Sequence, residues 1–374
     1  MKILFINHMG FLGGGEKSML ALMDGLWETG EYKIALLAPE GELINYAREK
    51  GYQTFPFDFG QIRRSYNPVV WLKGLLGMIT GIKQMERVIR DNQIYLVHAN
   101  SLKAALMGGL AARRAKRPMI FHTRDFLSAG LFGKLLISQA YGLAARVIVN
   151  SKSVSQVYGL DPGKKVAVVY NCVKTPEQLS PEKRKEIRAK NGVSEKQFLI
   201  GYVGRLHPDK DIVTLLEGFK LLLVSIPEAR LWIVGGAMPG EEQYTESLKH
   251  TSEKQGISRN TVFFGWRKDA LELMGCFDLL VVPSKKEPFG RVTVEAMMLG
   301  IPVVATASGG TMEIVDDNIT GLLFAPGDHQ ALAEKILYLL KDPTLKKELT
   351  VRAKNEVLKR FGKQQYIGGV QKVY

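Results

Sequence analysis

The chain has 374 residues, of which 46% are hydrophobic and 24% charged. These values exclude global disorder and predict two domains rather than one. The 51 Lys+Arg against 37 Asp+Glu give a net charge of +14, and a charge of this sign is found in proteins that bind nucleic acid. No nucleic-acid motif accompanies the charge, and residues 1–180 alone carry 23 Lys+Arg against 13 Asp+Glu. We therefore expect no nucleic-acid partner and look for a use of the basic first half.

The cysteines and the hydrophobic runs indicate the cellular setting. Only Cys172 and Cys276 are present, far apart and in apolar sequence, so we expect neither a disulfide framework nor a zinc site. The first apolar run, Met1–Asn7, is too short for a signal peptide, and no segment offers the ~20 apolar residues of a membrane span. We expect a cytoplasmic protein.

The first half of the chain predicts alternating strands and helices. Strands are expected at Lys2–Asn7, Lys33–Ala38, Ile94–Ala99, Pro118–His122, Arg146–Asn150 and Val166–Tyr170. Helical stretches between them include Ser18–Glu28 and Ser101–Arg113. This alternation predicts a doubly wound parallel sheet that binds ligands at the carboxyl ends of its strands. The polar, helix-prone run Thr175–Asn191 marks the domain junction.

The second half repeats the alternation. Strands are expected at Phe198–Val203, Leu231–Val234, Thr261–Phe264, Leu279–Val282, Pro302–Ala305 and Gly321–Phe324. Its helices include Ile212–Val224 and Gln330–Leu340. The chain is therefore expected to contain two α/β sheets of the same class.

The most informative stretch is Glu287-Pro-Phe-Gly-Arg-Val-Thr-Val-Glu295, which follows the predicted apolar strand Leu279–Val282. A helix is predicted from Gly290 to Leu299, so the two glutamates lie on the order of 10 Å apart, too far to share one proton. That spacing suits two hydroxyl-rich groups on either side of a phosphate, which the free amides near Gly290 would bind. A sugar, a diphosphate and a ribose in this order form a nucleotide-sugar.

The pattern E-P-F-G-x-x-x-x-E resembles the signature of the family 4 retaining glycosyltransferases, which have the GT-B fold. The resemblance implies two Rossmann-like doubly wound domains that face each other across a cleft. Residues 1–180 would bind the acceptor, residues 181–358 the nucleotide-sugar, and residues 359–374 would cross back to the first domain. The implied activity is transfer of a hexose from a nucleotide-diphosphate sugar, with UDP preferred to GDP.

The same resemblance assigns the donor contacts. Arg205 and Lys210 match the family's G-R-L-x-x-x-K segment and would bind the diphosphate as cations suited to phosphate. Glu295 would accept hydrogen bonds from the ribose, and Glu287 would contact the transferred sugar or orient the acceptor. The other implied donor contacts are Gly265 and Trp266 near the base, and Phe289, Gly290, Arg291 and Val292 at the helix start. The loop Ala307–Ile314 is expected either to pass close to the ligand at its glycines or to form an ordinary turn.

Two features of the first half resemble the family's acceptor side. Gly13-Gly14-Gly15-Glu16 resembles its G-G-x-E loop, with either Gly13 and Gly14 or Gly14 and Gly15 as the matching pair, and its amides would face the diphosphate. His122 lies where many members carry a histidine that contacts the sugar or the acceptor, although a lone histidine at a strand end is otherwise more often structural. His98 and His207 are weaker candidates.

The implied chemistry is substitution with retention. No carboxylate is an obvious covalent nucleophile, so we expect a same-face reaction in which the leaving phosphate takes the acceptor proton, with cations and helix N-termini stabilising the diphosphate. No Asp-x-Asp motif is present, and we expect no metal and no cofactor. The family's N-G-V-D is here Asn171-Cys172-Val173-Lys174, a departure near the inter-domain crossover that puts acceptor choice in doubt.

A basic, tryptophan-bearing stretch suggests where the acceptor comes from. Gln61–Arg64 leads into the apolar and basic run Pro68–Arg90, and Arg113–Arg117 adds further charge. One interpretation is an interfacial helix at an anionic inner membrane face, which would suit a lipid-linked or polysaccharide acceptor. The other is a core helix with solvated Lys and Arg.

Three other functions compete with the transferase. A nucleotide-sugar epimerase shares the architecture, but Glu287-Pro-Phe-Gly290 argues against it. A non-catalytic sugar-binding or membrane-surface module is disfavoured by the intact set of Glu287, Glu295, Arg205 and Lys210. A nicotinamide dehydrogenase would leave the second domain unexplained.

Overall fold

The computed structural model describes residues 1–60, 68–126, 130–160, 162–163 and 165–374. The chain divides into two compact units. Unit 1 comprises Met1–Cys172 and Lys363–Tyr374, and unit 2 comprises Val173–Gly362. The division after Cys172 lies before the polar run that we took as the junction, and the return to unit 1 occurs at Lys363 rather than at residue 359. The predicted acceptor segment Gln61–Arg64 lies outside the described residues.

Unit 1 is built on a seven-stranded parallel sheet. Its strands are β1 (Lys2–Ile6), β2 (Lys33–Ala38), β3 (Gln53–Pro56), β4 (Leu96–Ala99), β5 (Met119–Thr123), β6 (Arg146–Val149) and β7 (Val166–Val168). The spatial order is β3-β2-β1-β4-β5-β6-β7. The sequence did not predict β3, because this edge strand has four residues, ends in proline and is only partly buried.

The helices of unit 1 cover both faces of this sheet. They are α1 (Gly14–Glu28), α2 (Glu42–Glu49), α3 (Pro68–Asp91), α4 (Leu102–Arg114), α5 (Leu131–Leu143) and α6 (Lys152–Val157). One face packs on α3, α4 and α5, and the other packs on α1 and α2, so that the strands are buried on both sides. Across the described part of the chain, no helix combines the length and the hydropathy needed to cross a membrane.

Unit 2 repeats the design with six parallel strands. They are β8 (Leu199–Val203), β9 (Arg230–Val234), β10 (Thr261–Gly265), β11 (Leu279–Val282), β12 (Val303–Thr306) and β13 (Leu322–Phe324), in the order β10-β9-β8-β11-β12-β13. The α-helices are α7 (Pro181–Lys190), α8 (Ile212–Ser225), α9 (Glu242–Lys254), α10 (Ala270–Gly275), α11 (Arg291–Leu299), α12 (His329–Lys341) and α13 (Pro343–Arg360). Short 3-10 helices span Pro208–Lys210, Ser258–Asn260 and Gly309–Glu313.

The last helix, α14 (Lys363–Gln371), belongs to unit 1 and packs against α1. Gly25 makes the approach close, since a Cβ there would lie 1.9 Å from Cδ1 of Ile367. An ion pair between Lys363 and Glu28 lies at the start of the contact. The chain therefore returns to unit 1 through a helix that is packed into its core, where Tyr366, Ile367 and Val370 are buried.

The strand order reverses once in each sheet, and this locates the candidate sites. In unit 1 the reversal lies between β1 and β4, and in unit 2 between β8 and β11. Doubly wound sheets bind ligands outside the carboxyl ends of the strands at such a point. The residues after β1, β8 and β11 are those the sequence singled out.

Candidate functional site

The centre of the unit 2 site is an ion pair between residues from two neighbouring strands. Lys210 follows β8 and Glu287 follows β11, and their Nζ and Oε2 atoms lie 2.6 Å apart. Ser284, directly after Pro283 at the end of β11, donates its hydroxyl to the same oxygen at 3.2 Å. Both charged side chains are largely buried, with exposures of 20% and 11%. A cation and an anion are thus held together where the strand order reverses.

The residue after Lys210 fixes the direction of this loop. Asp211 has φ +49°, a left-handed conformation that is uncommon for a residue other than glycine. Its carboxylate accepts the hydroxyl of Thr214 at 2.7 Å and pairs with Lys285 at 3.0 Å. These contacts stabilise a sharp turn between the 3-10 helix and α8, and the turn directs Lys210 towards Glu287.

The glycine loop after β12 packs on the backbone around Glu287. The amide of Gly310 donates to the carbonyl of Glu287 at 2.6 Å. A Cβ on Gly309 would lie 2.3 Å from that carbonyl oxygen, and a Cβ on Gly310 would lie 2.6 Å from Cα of Phe289. Both glycines are therefore needed for contact with the Glu287–Phe289 segment, which is a role in shaping the site.

Helix α11 begins at this point, as the sequence predicted. Gly290 caps it in a left-handed conformation with φ +100°, and Phe289 is buried against Phe361 with ring centroids 5.5 Å apart. Arg291 and Glu295 lie one turn apart in the helix and form an ion pair at 2.9 Å. A helix leaves its first amides without acceptors inside the helix, so the N-terminus of α11 is suited to an anion.

The ends of β8, β9 and β10 meet at three glycines. Gly235 donates to the carbonyl of Gly265 at 2.9 Å, and a Cβ on Gly235 would lie 1.9 Å from the carbonyl oxygen of Gly204. Arg205 continues from this cluster, is exposed, and forms no ion pair with any residue that the structure describes. The cluster keeps the strand ends close and leaves the guanidinium in solvent.

Trp266 lies across the end of β9. Its indole nitrogen donates to the carbonyl of Ala237 at 3.0 Å, although 62% of the residue is exposed. Together with α9 it borders a shallow cavity of about 330 Å³ lined by Ala237, Pro239, Glu242, Thr245, Glu246 and Trp266. A flat aromatic side chain beside a cavity offers a stacking surface for a planar ring.

In unit 1 the glycine cluster forms the start of α1. Gly13 is the N-terminal cap, and its carbonyl accepts the amide of Lys17 at 3.0 Å. Nothing lies within 4 Å of a Cβ placed on Gly14, whereas a Cβ on Gly15 would contact Arg124 at 3.9 Å. Oε1 of Glu16 accepts a hydrogen bond from the side-chain nitrogen of Asn7 at 3.1 Å. Glu16 therefore ties the helix start to the end of β1, with open space in front of Gly14.

His122 lies near the carboxyl end of β5 and is fully buried. Its Nδ1 atom is 3.1 Å from Nε2 of His98 and 3.0 Å from Nη2 of Arg124. Burial, together with the Arg124 charge, holds the pKa values of both histidines well below their usual range. Both rings are neutral at physiological pH. His207, by contrast, accepts the amide of Asp209 at 3.2 Å and caps a 3-10 helix.

The site contains residues that the sequence did not single out. Ser284, Asp211 and Arg124 hold the predicted side chains in place, and Tyr366 and Tyr374 reach the histidines from α14 and the residues after it. Ser284 could have been found from its place after a strand-ending proline, but the tyrosines carry no local signal. In the described residues, no three His, Cys, Asp or Glu side chains are grouped as metal ligands.

Two family models match the chain along most of its length. One, described as glycosyl transferases group 1, matches residues 183–356, and the other, described as glycosyltransferase family 4, matches residues 12–177. The two matches fall on unit 2 and unit 1 respectively. The family model of the second half includes Arg205, Lys210, Glu287 and Glu295.

Curated relatives and a solved structure agree with this match. The capsular polysaccharide biosynthesis glycosyltransferase CapM of Staphylococcus aureus is 26% identical over 318 residues, covering 79% of this chain and 81% of CapM. The N-acetyl-alpha-D-glucosaminyl L-malate synthase of Bacillus anthracis is 23% identical over 300 residues, covering 78% of this chain and 77% of that enzyme. The structure of HepE from Anabaena in complex with UDP and glucose has a TM-score of 0.84 at 27% identity, covering 100% of this chain and 99% of HepE. The chain belongs to the family 4 glycosyltransferases of the GT-B fold, and it is a glycosyltransferase.

Proposed function

We propose that this enzyme transfers a hexose, with retention of anomeric configuration, from UDP-hexose to a glycan acceptor without a metal. The observation that carries the proposal is the convergence of Lys210 and Glu287 next to the N-terminus of α11. A cation, a carboxylate and a helix N-terminus at one strand-order reversal are what a diphosphate joined to a sugar requires. The co-crystallised UDP and glucose of the similar Anabaena protein support uridine and a hexose.

Each donor residue has a defined part in this proposal. Lys210 and the exposed Arg205 bind the diphosphate, and Glu295, oriented by Arg291, accepts hydrogen bonds from the ribose. Glu287 accepts a hydroxyl of the transferred hexose while it keeps its contact with Lys210. Trp266 borders the place for the base, with Gly265 supplying backbone contacts. In unit 1, the start of α1 at Gly14 and Gly15 offers further amides to phosphate.

The chemical step is a same-face substitution. The bond between the anomeric carbon and the β-phosphate oxygen breaks, and its electron pair leaves with the diphosphate. The acceptor hydroxyl oxygen forms the new bond on the same face, and its proton passes to the departing phosphate oxygen. Arg205 and Lys210 stabilise the negative charge that develops on the diphosphate, and these fixed cations take the part that a metal ion plays elsewhere.

The donor test is a thermal-shift panel of UDP- and GDP-sugars, with and without EDTA, on the wild type and Glu295→Ala. A bound donor raises the unfolding temperature by mass action. Glu348→Ala is the matched control, because Glu348 forms the same one-turn pair with Arg352 on α13 but is half exposed. We expect a UDP-specific, EDTA-insensitive shift that Glu295→Ala loses and Glu348→Ala keeps. No shift at millimolar donor would refute the transferase proposal, and isomerised sugar in an acceptor-free reaction would favour the epimerase.

For the acceptor we propose a lipid-linked or polysaccharide chain reached at an anionic inner membrane face. Arg113, Arg114, Lys116 and Arg117 are all exposed at the end of α4, and Leu76 and Ile79 on α3 are exposed by 54% and 38%. Exposed cationic and apolar side chains on two neighbouring helices suit a surface of anionic headgroups. The other face of α3, with Ile82, Met85 and Ile89, is buried in the core, so the proposal of a membrane surface concerns only the exposed face of this helix.

Co-sedimentation with vesicles tests this surface. We expect binding to vesicles containing phosphatidylglycerol but not to pure phosphatidylcholine, and loss of binding when Arg113, Arg114 and Arg117 are changed to glutamine. Replacing Lys183, Lys185 and Lys190 of α7 is the control, because it removes the same charge from unit 2. Equal binding of both variant proteins would refute the proposed surface. Turnover with malate instead of a glycan would refute the glycan acceptor, and malate is tried because the Bacillus anthracis relative is named as a synthase of N-acetyl-alpha-D-glucosaminyl L-malate.

A further inference from the structure

A chain of buried polar contacts runs through unit 1 from the C-terminal residues to the ends of two strands. The hydroxyl of Tyr374 lies 2.6 Å from Nδ1 of His98, and Nε2 of His98 lies 3.1 Å from Nδ1 of His122. Nη2 of Arg124 lies 3.0 Å from the same Nδ1 and donates to the hydroxyl of Tyr366 at 2.8 Å. His98 and His122 lie on the neighbouring strands β4 and β5.

Arg124 is held within this chain by neutral partners. Its Nε donates to the side chain of Asn171 at 3.1 Å, its carbonyl accepts from Asn150 at 3.1 Å, and the residue is 6% exposed. No carboxylate lies within ion-pair distance of it among the residues that the structure describes. A buried guanidinium without an anion is costly, which suggests that its position serves the groups beside it.

Two neutral histidines and a tyrosine can order their protons in two ways. In one, Tyr374 donates to His98, His98 donates from Nε2 to His122, and His122 carries its own proton on Nε2. In the other, every donor and acceptor is reversed, and Nε2 of His122 is a bare lone pair. The contacts between these three residues alone do not select either arrangement.

Arg124 removes the choice, because a guanidinium is always protonated and can only donate. Its contact with Nδ1 of His122 requires a lone pair on that atom, so the proton of His122 is on Nε2. Nε2 of His98 must then carry a proton, since two facing lone pairs would repel, and Nδ1 of His98 accepts from Tyr374. The fixed charge of Arg124 thus requires the hydrogen bonds in this series of contacts to be donated in one direction, from Tyr374 through His98 to His122.

With this direction of donation, the last ring in the series of hydrogen bonds, His122, has an N–H group that it does not use within the series. Nε2 of His122 is buried and has no hydrogen-bond partner among the described residues. Buried donors without an acceptor are rare in folded proteins, so the N–H is suited to an oxygen of a bound ligand. Nη1 of Arg124 is also buried and has no hydrogen-bond partner in the part of the chain that the structure describes, so a second donor lies in the same cluster.

We infer that Arg124 is a positioning residue that fixes the Nε2–H tautomer of His122, and that Tyr366 and Asn171 aim it. The inference rests on the proposed function in that the ligand oxygen would be a hydroxyl of the sugar or the acceptor. In a purely structural role, Arg124 would join α14 to the sheet without determining the position of a proton.

The tautomer is measured by two-dimensional NMR of the 15N-histidine-labelled protein, with His98→Gln and His122→Gln variants to assign the signals. We expect Nε2–H for both histidines in the wild type. In Arg124→Met we expect a second His122 signal with the proton on Nδ1, and in Arg124→Lys a return to Nε2–H, because an ammonium also only donates. A wild-type His122 protonated on Nδ1, or an unchanged single signal in Arg124→Met, would overturn the inference.

The activity of the same variants separates positioning from stability. We expect Arg124→Met to lower kcat for UDP release at least tenfold with little change in the donor KM, and Arg124→Lys to recover most of it. Arg48→Met, which removes an exposed arginine of unit 1, should leave kcat unchanged. Equal kcat losses in Arg124→Met and Arg124→Lys, despite different tautomers, would overturn the link between Arg124 and turnover.

A variant that does not fold, and a failure of the proposed function, can each be distinguished from a failure of the inference. If Arg124→Met does not fold, Arg124→Gln replaces it, because an amide group can accept as well as donate and so permits either tautomer. A single Nε2–H signal of His122 in that variant would overturn the inference. If the wild type releases no UDP from any nucleotide-sugar, the proposed function fails, while the tautomer measurement still decides the part played by Arg124.

Discussion

Nζ of Lys210 and Oε2 of Glu287 lie 2.6 Å apart, although the two residues are 77 positions apart in the chain. The sequence assigned one to the diphosphate and the other to the sugar. Their direct contact means that neither can be replaced without changing the charge state around the other. The bond that breaks in a nucleotide-sugar joins the anomeric carbon of the sugar to an oxygen of the diphosphate, so a paired cation and carboxylate can hold the groups on both sides of that bond.

Replacing one partner of this ion pair should lower the free energy of unfolding more than replacing both. Lys210→Met leaves a largely buried carboxylate with Ser284 as its one remaining side-chain donor among the described residues, and we expect the free energy of unfolding to fall by roughly 3 kcal/mol. The double variant Lys210→Met with Glu287→Gln leaves no unpaired charge, so it should regain most of that loss while remaining inactive. Urea unfolding and UDP release measure the two effects. A double variant as unstable as Lys210→Met would show that the pair is not coupled.

Asp211 should prefer glycine to alanine as its replacement. Its φ of +49° costs a residue with a Cβ roughly 1 kcal/mol, so Asp211→Gly should be more stable than Asp211→Ala by about that amount. Both variants lose the contacts with Thr214 and Lys285. At Asp209, which does not have a positive φ, glycine should give no such advantage. Urea midpoints of the four variants test this, and equal stability of the two Asp211 variants would show that the turn relaxes.

The buried histidines should make the protein less stable in mild acid. Above about pH 6.5 His98 and His122 are neutral in both states, but below it the unfolded chain binds protons that the folded one excludes, since burial lowers both pKa values. Each ring then lowers the free energy of unfolding by about 1.4 kcal/mol per pH unit as the pH falls. Urea unfolding at several pH values gives the slope. His98→Gln should reduce the slope of the free energy of unfolding against pH by the amount that corresponds to one proton. His250→Gln is the control, because this side chain is 80% exposed, and it should leave the slope unchanged.

The two sheets and the places of the motif residues at their strand ends could be predicted from the sequence, because their signals are local. Apolar runs such as Leu279–Val282 end in proline or glycine at the edge of the sheet, and the motif residues follow directly. The family match then supports the same fold. Strand β3 was missed because it has no apolar run, and the ends of the predicted strands differ by one or two residues, as hydrogen bonding at strand ends depends on the neighbouring strand.

The residues that orient the site could not be found in this way. Tyr366 reaches Arg124 across 242 positions and Tyr374 reaches His98 across 276, and no spacing rule joins side chains so far apart. The left-handed turn at Asp211 could not be predicted either, because an aspartate in the sequence does not by itself indicate a positive φ. Local patterns thus identify candidate ligand-binding residues, whereas the contacts that orient their side chains are seen only in the packed structure.

The glycines after β12 provide the last prediction. Gly310→Ala would place a Cβ 2.6 Å from Cα of Phe289 and from the carbonyl oxygen of Pro288, so the segment after Glu287 must shift. We expect a loss of roughly 1–3 kcal/mol in the free energy of unfolding and, because Glu287 lies next to the shifted backbone, at least a tenfold loss of turnover. Gly142→Ala on α5 is the control, since nothing lies within 4 Å of its Cβ and alanine favours a helix. It should be neutral or stabilising and fully active. An active Gly310→Ala with lowered stability would show that the loop supports the fold but does not set the position of Glu287.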